Sequence, residues 1–104
     1  MRRETFIPRN RLKIISVLNA ISKGSGLFIL EILKENQPMS IIEIENLLVK
    51  MGKKIGQSYT GKSVDRLCRL GLIEKTDRGR EKELTLTQLG EKVLVLVHDI
   101  EKLL

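Results

Sequence analysis

The sequence contains few of the residues that mark secreted, all-β or membrane proteins. It has one cysteine in 104 residues, so it forms no internal disulfide framework, and this usage predicts a reducing, cytoplasmic environment. Aromatic residues make up 3% of the chain, so the hydrophobic 41% is largely aliphatic, which favours helices over a β-sandwich. There is no run of about 18 apolar residues, and no apolar segment follows the charged N-terminus. Neither a membrane span nor a signal peptide is therefore predicted.

The positive charge of the chain is concentrated in one part of the sequence. The formal net charge at pH 7 is +6. Residues 50–82 contain ten Lys and Arg against four Asp and Glu, residues 1–49 contain seven against five, and residues 83–104 contain two against four. A basic segment of this kind predicts contact with a polyanion such as nucleic acid. The alternative is an ordinary solvated basic face.

The first half of the chain is predicted to be helical after a short arm at residues 1–8. Apolar residues recur at three- and four-residue intervals over 9–22 and 27–35, which predicts two amphipathic helices. Ser40 and Glu43 have the spacing of a capping box, so a third helix is expected to begin at Ser40.

The second half predicts a fourth helix, two strands and a last helix. Residues 72–76 and 83–87 read as strands, with the charged residues 77–82 between them as a turn. Thr87 is expected to cap a helix over 88–104. The fold class is therefore mainly α with a small β-hairpin (α+β), in a single domain over residues 1–104.

The fourth helix is predicted at about 58–70. Ser58 is its expected N-cap, and Gly71 follows its end, where a helix C-cap favours a residue that tolerates positive φ. Three apolar residues at a spacing of three predict its buried face: Val64, Leu67 and Leu70.

The segment that contains this helix resembles the winged helix-turn-helix regulators of the ArsR, MarR and PadR type. Gln57–Val64 is similar to their Q-S-T-V-S-R-H-L pattern, and Gly71–Ile73 is similar to the G-L-I or G-L-V that follows it. Leu84–Lys92 is similar to the L-T-x-x-G segment that leads into their next helix. The resemblance covers residues 25–92.

The resemblance implies a winged helix-turn-helix with extra N- and C-terminal helices. The winged-helix core would span 25–87, with 58–70 as the recognition helix in the major groove of double-stranded DNA. The wing at 77–82 would touch the adjacent backbone.

Polar and basic residues on or beside the exposed face of the recognition helix, and on the wing, are the candidate DNA contacts. Free backbone N–H groups at the start of the helix favour phosphate, and an arginine such as Arg66 suits guanine O6 and N7. Gly61 has no side chain, which allows the helix to approach DNA closely. The candidates are Gln57, Ser58, Tyr59, Gly61, Lys62, Arg66, Arg69, Arg78, Arg80 and Lys82.

The last helix predicts a homodimer. Residues 93–97 are apolar on every side, whereas a surface helix of a small monomer is apolar along one stripe. Helices 9–22 and 88–104 are therefore expected to pair with a second subunit, unless they cover each other within one chain. The expected interface residues are Ile14, Leu18, Val93, Leu96, Val97, Ile100 and Leu104.

The remaining residues do not form a recognisable reaction centre. One cysteine, Cys68, and one histidine, His98, are too few ligands for a complete metal site, so no metal or cofactor is predicted. No nucleophile–base pair, glycine-rich phosphate loop or pair of carboxylates stands out, so an enzyme is not predicted. Cys68 is either a redox switch or a small residue filling a partly buried position, the second being the commoner role.

Three functions are compatible with the sequence. The first is a dimeric transcriptional regulator that reads a palindrome. The second is a winged-helix module for protein–protein assembly, which need not concentrate positive charge on the recognition helix and wing. The third is an architectural protein that coats DNA without reading its sequence.

Overall fold

The structure is a computed structural model that describes residues 9–22, 25–52, 57–78 and 81–104. The side chains of Arg9, Gln57, Ser58, Tyr59, Arg78 and Glu81 also lie outside the described part. Five helices and a three-stranded antiparallel sheet follow one another as α1 (Arg9–Ser22), α2 (Gly26–Asn36), β1 (Met39–Ser40), α3 (Ile41–Lys50), α4 (Gln57–Arg69), β2 (Ile73–Arg78), β3 (Glu81–Leu86) and α5 (Gln88–Leu103). The predicted α+β class is confirmed.

The helix ends follow local capping chemistry at most positions. At the start of α3, the backbone N–H of Glu43 donates to Ser40 Oγ at 3.2 Å, and the Ser40 N–H donates to the Glu43 carboxylate at 3.2 Å, which forms the predicted capping box. At the start of α5, the Gly90 N–H donates to Thr87 Oγ1 at 3.0 Å. Both predicted caps are confirmed.

The start of α4 differs from the prediction. The helix begins at Gln57, so Ser58 lies inside its first turn, and the expectation that Ser58 is the N-cap is wrong. Glutamine has a higher helix propensity than serine, which lets the helix extend past the expected cap. The preceding link, residues 53–56, lies outside the described residues, as do the arm at 1–8 and the break at 23–24.

The hairpin is longer than predicted. Strands β2 and β3 pair from Ile73 opposite Leu86 to Arg78 opposite Glu81, so most of the expected turn at 77–82 belongs to the strands. Asp77 lies opposite Lys82 in the same register, so the backbone ladder continues past the expected strand ends.

A third strand was not predicted. Met39 and Ser40 form β1, which pairs with β3 through Met39 opposite Leu84 and Ser40 opposite Glu83. Two residues are too few to show an alternating pattern, so only the partner strand reveals this one.

The end of α4 is joined to the start of α5. Gly71 has φ +78°, as predicted for a helix C-cap. The Leu72 N–H donates to Leu67 O at 3.0 Å, and Thr87 donates twice, from Oγ1 to Gly71 O at 2.6 Å and from its backbone N–H to Leu72 O at 3.1 Å. These bonds fix the base of the hairpin against the end of α4.

The core lies between α2, α3, α4 and the base of the sheet. Its fully buried members include Ile29, Leu30, Leu33, Ile44, Leu48, Val64, Leu67, Leu72 and Leu84. Within the described ranges, no single helix is long and apolar enough to cross a membrane; α1 and α2 meet that requirement only as a pair, with a bend of 78° between them.

Candidate nucleic-acid interface

Helix α4, the predicted recognition helix, divides into a buried face and an exposed face. Val64 and Leu67 are fully buried and Leu70 is half-buried, so the predicted core-facing stripe is confirmed. Thr60 and Ser63 are buried on the same side. The opposite side carries charged and exposed side chains at spacings of three and four: Lys62, Asp65, Arg66 and Arg69.

Gly61 lies in open space. A Cβ placed on this residue would meet no heavy atom within 4 Å, so nothing in the protein itself requires glycine here. The open space is compatible with the close approach to DNA expected from the sequence. A replacement by alanine therefore tests that expectation without a steric clash inside the chain.

Two arginines of α4 lie beside helix α1. Arg66 and Arg69 occupy the last turn of α4, where cations interact favourably with the negative end of the helix dipole. Together with Leu70, they line a shallow groove whose other wall is Ser16 and Asn19 of α1. The sequence did not indicate this neighbourhood, because the position of α1 against α4 depends on tertiary packing.

An ion pair connects α4 to the hairpin. Lys75 Nζ lies 2.9 Å from Asp65 Oδ1. The hydrogen bond and the charge of Lys75, with Arg69 and Lys82 nearby, lower the pKa of the Asp65 carboxyl below its usual value. The same hydrogen bond raises the pKa of Lys75, so both groups are charged at neutral pH. Asp65 and Lys75 are absent from the candidates predicted from the sequence, because Asp65 is acidic and Lys75 lay in the predicted strand 72–76 rather than in the helix or the wing at 77–82.

The wing is described along its strands. Lys82 is exposed on β3, and the backbone of Arg78 ends β2. The Arg78 side chain and the tip residues Gly79 and Arg80 lie outside the described residues, as do the side chains of Gln57, Ser58 and Tyr59. Their proposed DNA contacts stay predictions.

Cys68 sits on the border of the core. It is partly buried and packs against the buried cluster, and burial raises the pKa of its thiol. A protonated thiol is a poor nucleophile, which favours a packing role over a redox switch. His98 is exposed on α5, with Nδ1 4.0 Å from a carboxylate oxygen of Glu101. Among the described residues, no three His, Cys, Asp or Glu side chains are grouped so that they could hold a metal ion.

A second surface lies on the other helices, where α1 and α5 line an open apolar groove of about 390 Å³. We call it the α1–α5 groove; its lining residues are Asn10, Lys13, Ile14, Val17, Leu18, Ile21, Leu89, Val93, Leu96, Val97 and Ile100. Six of the seven predicted interface residues therefore lie together. The seventh, Leu104, does not line the groove and is fully exposed at the chain end, beyond the last turn of α5.

The two helices do not cover each other within the chain. Leu96 remains 60% exposed, and Ile14, Leu18 and Ile100 are exposed as well. On another side of α5, Leu94 is buried in the core, so this helix presents apolar residues in more than one direction, as predicted.

Solved structures with the same architecture were found by comparison of the folds. The transcriptional regulator YodB from B. subtilis, in its reduced form, is 17% identical; the match covers 94% of this chain and 90% of that chain, with a TM-score of 0.74. The homodimeric winged helix-turn-helix DNA-binding domain of Mb0332 from Mycobacterium bovis, a possible ArsR-family transcriptional regulator, is also 17% identical. That match covers 98% of this chain and 91% of the other, with a TM-score of 0.71.

This chain has the winged helix-turn-helix fold. The fold resemblance predicted from residues 25–92 is confirmed, with α4 and the β2–β3 hairpin at the positions that the recognition helix and the wing occupy in that fold. A third similar structure, from a study of DNA recognition and protein interaction domains of HOP2, is 28% identical with a TM-score of 0.55, and covers 62% of this chain and 100% of that one. No family model matches the sequence, and no curated protein matches it.

Proposed function

We propose that this protein is a homodimeric, DNA-binding transcriptional regulator that acts in the cytoplasm. The observation that supports the proposal most strongly is that the positive charge lies in the part of the fold that contacts DNA in winged helix-turn-helix regulators. The basic excess of the chain lies within residues 50–82, which contain the recognition helix and wing of the fold. An assembly module would not need its positive charge there.

The recognition helix has the dimensions to enter a major groove. Its 13 residues span about 20 Å at 1.5 Å per residue. The major groove admits an α-helix, and each base pair there presents a distinct pattern of donors and acceptors. Lys62 and Arg66 lie four residues apart and are both exposed, so they are the candidates for reading base edges.

The other contacts of the helix and wing would hold the DNA backbone. Backbone N–H groups at the helix start, with Gln57, Ser58 and Tyr59 beside them, suit phosphate oxygens. Gly61 allows close approach, and Arg69 lies one turn beyond the base-reading positions. On the wing, the proposed backbone contacts are Arg78, Arg80 and Lys82.

The second subunit is proposed to cover the α1–α5 groove. This groove is lined almost wholly by aliphatic side chains that are exposed or half-buried in the single chain. An exposed apolar surface of this kind marks an interaction site. The homodimeric state of the Mb0332 domain supports a second copy as the occupant, and two recognition helices related by a two-fold axis would read a palindrome.

The proposal is tested by selecting bound sequences from a random duplex pool. The binding constant of the most enriched duplex is then measured over a range of salt concentrations. A regulator enriches one palindromic sequence. A dimer that neutralises about 8 phosphates gives a slope of log K against log salt of roughly −7. Salt-dependent binding without enrichment would instead indicate an architectural protein. A flat salt response would remove the DNA-binding function and favour the assembly module.

A further inference from the structure

Asp65 is an acidic residue on a surface where DNA binding favours positive charge. It is the only Asp or Glu of α4, and it lies three residues after Lys62 and four before Arg69 on the exposed side. Its side chain is 54% exposed. A carboxylate at this position would repel the phosphates of a bound DNA.

The partner of Asp65 is Lys75, a lysine of the β2–β3 hairpin. Lys75 lies opposite Leu84 in the hairpin, and directly opposed residues share one face of a sheet. Leu84 is fully buried, so this face is the one turned toward the body of the domain and α4. The Lys75 ammonium is 2.9 Å from Asp65 Oδ1, and its side chain is only 31% exposed. The ion pair therefore occupies the angle between the recognition helix and the wing.

A second lysine on the same face of the sheet, Lys82, is not held in an ion pair by any described residue. Lys82 lies opposite Asp77, two residues along β3 from Leu84, and therefore shares the sheet face of Lys75. No hydrogen bond or ion pair joins Lys82 to another side chain within the described residues, and its side chain is exposed. The hairpin thus carries one lysine held by a carboxylate and one available to an external anion.

We infer that Asp65 limits non-specific DNA binding by engaging Lys75 and withholding its charge from the phosphate backbone. The inference rests on the proposed function. Binding to random DNA depends almost entirely on neutralised phosphates. A lysine held by an internal carboxylate releases no counterion from DNA, so it adds nothing to that binding. A regulator competes with the many non-specific sites of a genome, and weaker binding to them leaves more protein free for its operator.

The first test compares two substitutions of the same kind on the same face of the hairpin. The slope of log K against log salt is measured on a random duplex for Lys75→Met and Lys82→Met. Lys82→Met is expected to reduce the slope by about 0.9 per chain, the value for one lost phosphate contact. Lys75→Met is expected to leave the slope of the wild type unchanged. Because Lys75→Met leaves the Asp65 carboxylate near Arg69 and Lys82, the same measurement is made with Asp65→Asn also present. An equal reduction by Lys82→Met and by this double variant would show that Lys75 contacts phosphate and would overturn the inference.

The second test releases Lys75. Asp65→Asn keeps the shape of the side chain but frees the ammonium, so the slope is expected to steepen by about 0.9 per chain. For a dimer, this makes the ratio of variant to wild-type affinity about tenfold larger at 50 mM than at 200 mM salt. The double variant Asp65→Asn, Lys75→Met should return to the wild-type slope. Thermal unfolding of each variant confirms folding, because a purely structural ion pair would change stability and leave the slope alone.

The proposed function and the inference about Asp65 are contradicted by different results. If the wild-type protein shows no salt-dependent binding, the proposed function is wrong and the inference falls with it. If the wild type binds DNA but Asp65→Asn has the same slope, the inference alone is wrong.

Discussion

The α1–α5 groove makes a quantitative prediction about self-association. Leu96 is 60% exposed in the single chain and lines this apolar surface. Full burial of a leucine side chain contributes about 1.5–3 kcal/mol relative to exposure, so burying the exposed share contributes about 1–2 kcal/mol per chain. In a two-fold symmetric dimer each chain contributes, so replacing both copies removes about 2–4 kcal/mol.

The substitution Leu96→Glu should therefore weaken the dimer by at least roughly 30- to 700-fold, at 1.4 kcal/mol for each factor of ten. Burying an unpaired carboxylate adds a further penalty in the same direction. Sedimentation velocity at micromolar concentration would show the wild type as a dimer and the Leu96→Glu variant as a monomer.

Ile42 provides the matched control. It is an aliphatic residue that is also 60% exposed, but it lies on α3 and does not line the groove. The variant Ile42→Glu should keep the wild-type sedimentation. A wild-type monomer at this concentration, or equal dissociation by both substitutions, would refute the assignment of the groove as the dimer interface.

Four other measurements test the DNA-binding surface and the recognition helix. Arg66→Ala is expected to cost about 1–3 kcal/mol of binding free energy on the selected site and much less on random DNA. Arg80→Ala should weaken binding to both DNAs alike and lower the salt slope by about one per chain. Gel-shift titrations of the folded variants compare the two substitutions. Gly61→Ala should stabilise the protein by about 0.5–1 kcal/mol in urea unfolding, because the site is open and helical, yet weaken DNA binding if the helix approaches DNA there. Gly71→Ala should instead destabilise by about 1–2 kcal/mol, because its φ is positive. Alkylation of Cys68, followed by mass spectrometry, should be slower in the folded protein than in urea.

Local chemistry explains which parts of the fold could be predicted from the sequence. The cap at Ser40 and the stop at Gly71 depend on residues within one turn of the helix end, so their patterns are readable in the chain itself. The spacing of apolar residues was also enough to predict α1, because the predicted helix at 9–22 has the same bounds as the observed helix. The family resemblance added the arrangement of these elements, which periodicity alone does not provide.

The features that the sequence did not predict depend on contacts between distant segments. Strand β1 exists because Met39 lies against Leu84, and no pattern within its two residues indicates that pairing. Asp65 was passed over because its partner is ten residues away in another element. A sequence argument that sorts residues by charge and helix face cannot tell an available cation from one held by a neighbouring carboxylate.

The surroundings of Arg66 decide how the recognition helix is to be understood. A base-reading arginine needs its guanidinium directed at the floor of the major groove, yet Arg66 shares a groove with Arg69 and with Ser16 and Asn19 of α1. Two guanidinium groups beside an amide form a cluster of donors that also suits a phosphate. If Arg66→Ala weakens selected and random DNA equally, Arg66 belongs to this phosphate-binding cluster and α1 becomes part of the DNA-binding surface. Base reading would then pass to Lys62, which is exposed and does not line the groove between α1 and α4, and to Tyr59 near the helix start.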